Sequence, residues 1–203
     1  SKIRKVSSYR KKAASAGTIN ELTAEEEQLF IAISFGKVHR VISLLPDMDS
    51  LHIRGTESRT PLIHAAVSTR GDLCCHLVRL LVKHGSDVNA HDRYGRTALM
   101  YVCQNSDTTD AVRMLVRSQH SNLNLQDNEG NTALMVAVQH RQLEAVLIML
   151  FFHHPDVKTD VNIGTGQETR LSTWLSQPAR QSVAGFWSRK LTQTQRRWWT
   201  STA

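Results

Sequence analysis

Ten histidines and three cysteines are the residues of this 203-residue chain most able to do chemistry. Their spacing gives them little to do. His153-His154-Pro155 invites a metal, but two adjacent imidazoles diverge and no third ligand follows at a suitable spacing. Cys74 and Cys75 would point to different sides of a helix, and with Cys103 they form no Cys-x-x-Cys pair; reduced thiols are the expectation. "NIGTGQET", from Asn162 to Thr169, lacks the lysine of a phosphate loop and the strand and helix that flank one. No Ser or Cys nucleophile can be ordered with a His and an Asp without an arbitrary choice among the histidines. We therefore expect no enzyme, no catalytic residue, no cofactor and no metal.

The chain is long enough for one ordinary domain plus tails. Its 40% apolar and 21% charged content is that of a soluble globular protein. The run "AVLIMLFF", Ala145 to Phe152, falls far short of the roughly 20 residues that cross a bilayer and is expected to be a buried helix instead. The N-terminus is charged and has no apolar signal core, so a cytoplasmic location is expected, with a nuclear one as the alternative. The net charge of +7 divides unevenly. Residues 1–20 carry six Lys/Arg and no acid, and residues 168–203 carry six against Glu168. The body, 21–167, is left with 13 basic and 17 acidic residues, so any anion-seeking behaviour belongs to the tails.

Self-similarity organises the rest. A unit of Thr-x-Leu, a second apolar run and Asp/Asn-x-Asn recurs. It appears as Thr60-Pro61-Leu62, "LVRLLVKHG" and "DVNAHD", then as Thr97-Ala98-Leu99, "AVRMLVRSQ" and "NLNLQD". A third copy is Thr132-Ala133-Leu134, "AVLIMLFFH" and "DVN". A weaker copy precedes them from Glu27, and a remnant follows at Thr169-Arg170-Leu171. The spacing from Thr60 to Val78 is 18, against 14 from Thr132 to Val146, which predicts four extra residues around "STRG" in one inter-helix turn. Each unit reads as two short helices and a loop. Thr60, Thr97 and Thr132 are N-caps, Pro61 sits at N1, and Thr23-Ala24-Glu25-Glu26 is a capping box. Leu62, Ala65 and Ala66 face inward on one helix; Val78, Leu81 and Val82 do so on the next, as do Val112, Leu115 and Val116. Gly85 ends a helix, and Asp92–Gly95 and Asp127–Gly130 are tight turns.

The stretch "TPLIHAAVSTRGDLCCHLVRLLVKHGSDVNAHDRYGRTAL" resembles the ankyrin repeat, and the motifs extend over roughly residues 24–171. The resemblance implies an all-α helical solenoid with hairpin-like finger loops. It would hold about three good repeats between degenerate N- and C-terminal capping units. Units fall near 24–53, 54–90, 91–125 and 126–162, with a cap at 163–178. A basic tail 1–20 precedes this 21–178 domain, and a basic, Trp-rich tail 179–203 follows it. Two departures from the family pattern stand out. Its usual histidine is Ile63, Met100 and Met135 here. Its C-cap glycine is Met48, Gln119 and His153 outside the Gly85 unit, which should loosen those corners.

By the same resemblance a protein partner binds a concave face of fingertips and first-helix ends. The fingertips are Thr56, Glu57, Arg59; Arg93, Tyr94, Arg96; and Asn128, Glu129, Asn131. The helix ends are Ser34, Phe35, Val67, Ser68, Gln104, Asn105, Gln139 and His140. Arg93 and Tyr94 are the expected centre, since both types are enriched at binding hot spots. The expected function is that of an intracellular adaptor or scaffold, a monomer with a protein partner. The alternative gives binding of acidic membrane or RNA to the tails, where Arg196-Arg197-Trp198-Trp199 joins cations to aromatics; nucleic acid and membrane are the less favoured partners. Trp174 is expected to cap the last helix. Arg4-Lys5-Val6-Ser7 resembles a basophilic kinase site, with Ser7 the phosphate acceptor.

Overall fold

The structure is a computed structural model that describes residues 22–47, 51–118 and 120–151. Eight α-helices run through them: α1 (Ala24–Ser34), α2 (Val38–Leu44), α3 (Pro61–Ser68), α4 (Gly71–Lys83), α5 (Ala98–Val102), α6 (Thr109–Arg117), α7 (Ala133–Gln139) and α8 (Leu143–Phe151).

Each first helix starts at a hydroxyl. Thr60, Thr97 and Thr132 are extended at the cap, and their Oγ1 atoms accept the amides of Ile63, Met100 and Met135 at 3.4 Å. Those amides have no partner inside a helix, which is why a Ser/Thr/Asp oxygen is preferred there. At α1 the capping box closes both ways: Thr23 Oγ1 accepts from Glu26 N at 3.3 Å, and Glu26 Oε2 accepts from Thr23 N at 2.7 Å.

Packing follows the repeat. Helices α1, α3, α5 and α7 lie side by side in one layer, while α4, α6 and α8 form a second layer. Within each unit the two helices pack on one another, as α3 does on α4 and α7 on α8. Ala65 and Ala66 are buried between neighbours, where larger side chains would hold the helices apart. Leu62, Leu77, Leu81, Leu115 and Leu123 are fully buried, each removing enough apolar surface to contribute about 2 kcal/mol. Val112 and Val116 are buried as expected, and Val82 is partly so. No unit could bury its apolar face without the next.

Helix α4 ends as the glycine predicts. Gly85 has φ +82°, its N–H donates to Val82 O, and Ser86 N–H donates to Leu81 O, both at 3.1 Å. Further on, Asn89 ties two loops together. Its Nδ2 donates to His120 O at 2.5 Å, and its Oδ1 accepts from Asn122 N at 2.7 Å.

Two expectations need correction. The four extra residues do not lengthen a turn, because only Thr69 and Arg70 separate α3 from α4. They extend α4 to 13 residues against 9 in α6. One added helical turn leaves the inward face in register, whereas a longer loop would leave backbone groups to satisfy separately. The "AVLIMLFF" helix is buried only through Leu150; Phe151 is 47% exposed. Met48, Gln119, His153, the cap at 163–178, all four tryptophans and both tails with Ser7 lie outside the described residues.

Candidate partner-binding site

Three finger loops link the units, and an aspartate builds two of them. Asp92 is buried; its Oδ1 accepts the amides of Tyr94 and Arg96 at 2.9 and 3.0 Å. Its Oδ2 accepts the Tyr101 hydroxyl at 2.6 Å. Burial and that hydrogen bond push Tyr101 up to about 12. Asp127 repeats the arrangement with the amides of Glu129 and Asn131 at 3.0 and 2.8 Å. Isolated bridges His91–Thr97 and Gln126–Thr132 close these two fingers. Gly95 turns the second tip at φ +74°, and a Cβ there would lie 2.6 Å from Asn128 Oδ1.

The first finger has a glycine where the others have the aspartate. A Cβ on Gly55 would come within 3.1 Å of the Phe30 ring, so the space is already taken. Glu57 and Ser58 then adopt φ +60° and +56° without being glycines.

The fingers are stitched to each other. Arg93 N donates to Glu57 O and Asn128 N to Tyr94 O, both at 3.0 Å. Asn128 Nδ2 adds a bond to Arg93 O at 3.0 Å, and Arg54 Nη1 adds one to His91 O at 2.6 Å. Where the usual histidine is absent, these backbone and side-chain bonds join the loops. Charge follows the same route. Arg59 pairs with Glu57 at 2.5 Å, reaches Asp92 at 3.9 Å, and lies 5.8 Å from the centre of the Tyr101 ring. Arg96 pairs with Asp127 at 3.3 Å and Glu129 at 3.7 Å.

The expected fingertip residues therefore divide. Arg59, Arg96 and Asn131 are part-buried and bound within the loops. Thr56 and Glu57 are half-buried, while Arg93, Tyr94, Asn128 and Glu129 are exposed. Tyr94 is a large apolar side chain left 41% exposed, with the Arg93 guanidinium 5.2 Å from its ring centre. Of the helix ends, Ser34, Phe35, Ser68, Gln139 and His140 are exposed, and Val67, Gln104 and Asn105 are half-buried. Burial and the charge of Arg96 hold His140 below its ordinary pKa.

Sequence reasoning missed His64 and Arg54. His64 is buried under α1: Nε2 lies 2.7 Å from Ser34 Oγ, and the Phe30 ring meets it edge-on at 5.3 Å. Desolvation, with the charge of Arg59, lowers its pKa to about 4. Arg54 could have been found from the repeat register, because it precedes Gly55 as His91 and Gln126 precede Asp92 and Asp127. Among the described residues no cluster of His, Cys, Asp or Glu could hold a metal ion. No helix among them is long and apolar enough to cross a membrane.

Residues 70–163 match the family model for ankyrin repeats, in three copies. The chain carries ankyrin repeats. Its all-α ankyrin solenoid agrees with the helices and fingers described above. A search of curated proteins finds no match to the chain. Ankyrin repeats generally mediate protein–protein interaction, so a protein is the class of partner the family indicates.

Proposed function

We propose that this ankyrin-repeat chain is a non-enzymatic interaction module, a cytoplasmic adaptor or scaffold that holds a protein segment on its concave face. Arg93 and Tyr94 are the centre of that face. One observation carries the reading: of the arginines at the expected fingertips, Arg93 makes no ion pair among the described residues, and it stacks on the exposed Tyr94. Backbone bonds on both sides hold this tip, so binding would order little of it. The domain proposed to bind is 21–178, and the tails 1–20 and 179–203 are dispensable to it.

The test is affinity capture from cell lysate, comparing the full chain with the double variant Arg93→Ala/Tyr94→Ala at low and at physiological salt. The variant should lose specific partners, with its thermal unfolding shifted by less than about 1 kcal/mol. Identical capture by both proteins would remove the proposed centre. Capture that survives the double substitution, collapses with salt and needs residues 1–20 or 179–203 would favour an anionic surface bound by the tails.

A further inference from the structure

The three fingers leave an open cleft of about 490 Å³, lined among others by Arg54, Ser58, His91, Arg93, Gln126 and Asn128. Its charge balance is the telling feature. Four arginines and four carboxylates lie in the finger loops. Glu57, Asp92, Asp127 and Glu129 are all paired with Arg59 or Arg96. Arg54 and Arg93 are left without a carboxylate among the described residues, and both line the cleft. Asp92 reaches the lining too, but two amides, the Tyr101 hydroxyl and Arg59 already occupy it.

Both cations are held in place. Arg54 Nη1 donates to Ser58 O at 3.0 Å and to His91 O at 2.6 Å, which anchors one edge of its guanidinium. Arg93 rests against the Tyr94 ring. A fixed, planar, charged fork is suited to bidentate pairing with a carboxylate, and Asn128 and Gln126 add amide groups along the same wall.

We propose that this cleft seats an acidic segment of the protein partner, whose Asp or Glu side chains pair with Arg54 and Arg93. The proposal rests on the interaction reading above and gives the partner a chemistry. The chain's own tails have the wrong sign, since residues 1–20 carry only positive charge and 168–203 are strongly basic. Nucleic acid fits less well: it is held by a basic stripe and aromatic platforms. The cleft has two free arginines, no Trp, Tyr or Phe in its lining, and an acidic body around it.

The experiment is fluorescence anisotropy on the full chain at physiological salt, with four labelled probes: a short Glu/Ser peptide, its Gln/Ser and Lys/Ser counterparts and an oligouridine. The variants are Arg54→Gln, Arg93→Gln and the reversal Arg54→Glu/Arg93→Glu, each checked by thermal unfolding. The Glu/Ser peptide should bind well above its Gln/Ser counterpart and lose roughly tenfold in each single variant, as expected for a charged hydrogen bond. The reversal should exchange its preference for a Lys/Ser peptide, which keeps the test decisive if Arg54→Gln alone destabilises the loops. Glu/Ser binding that ignores both arginines overturns the proposal by placing the site on the tails or another face. So does oligouridine binding that both substitutions abolish while the Glu/Ser peptide fails. Should capture from lysate depend on Arg93 and Tyr94 while the Glu/Ser peptide fails, only the acidic chemistry falls. Should the peptide bind through Arg54 and Arg93 while capture ignores Arg93 and Tyr94, only the proposed centre falls.

Discussion

His64 makes the fold sensitive to acid. Its folded pKa, about 4, lies below the ordinary 6.5, so the unfolded chain takes up a proton that the folded one excludes. The associated stability is present above about 6.5 and is lost as pH falls toward 4, a change of about 3 kcal/mol. Urea unfolding across that range should show the loss, and His64→Leu should flatten it; an unchanged slope would exclude His64 as the source. Backbone geometry gives a second pair of predictions. Gly95→Ala should cost more than ~1 kcal/mol, because its Cβ would collide with Asn128 on top of the left-handed penalty. Ser58→Gly should stabilise by up to ~1 kcal/mol, since Ser58 holds φ +56° at the position Gly95 occupies in the next finger. Denaturant midpoints of the two variants would therefore move in opposite directions.

Among the elements, the finger loops depend most on single residues. Asp92→Ala removes the acceptor of two amides and a tyrosine hydroxyl at a buried site and should cost about 3 kcal/mol. Glu129→Ala, at the exposed end of the Arg96 network, should cost under about 1 kcal/mol. Chemical denaturation of both variants checks the contrast. The helices, caps and tight turns were legible because each rests on local chemistry: the Thr60 hydroxyl accepts the Ile63 N–H three residues on, and Gly85 supplies its own φ. The lengthened α4 was not legible. A four-residue excess fits a loop or one helical turn equally well, and only the burial of Leu77 and Val78 within the lengthened helix decides. The site divided in the same way. The repeat register located the fingertips, but the reach of Arg59 to Asp92, the pairing of Arg96 with Asp127 and the anchoring of Arg54 on His91 span 31 to 37 residues.

For the whole molecule, the thiols report on opening. Burial raises Cys74 to about 11 and raises Cys103 further, and neither is exposed. Alkylation at mildly alkaline pH should be slow in the native protein and fast in urea, read by mass spectrometry. Rapid native labelling of Cys103 would mean that the interior of the stack opens locally. The stitching between fingers has a direction. Each tip donates an amide to the carbonyl of the finger before it, first Arg93 to Glu57, then Asn128 to Tyr94. The middle finger thus carries a plug facing the N-terminus and a socket facing the C-terminus. A copy of its unit inserted at either of these seams would find both halves of the joint already present. Such a chain can change its length, and with it the span of its binding surface, by copying rather than by redesign.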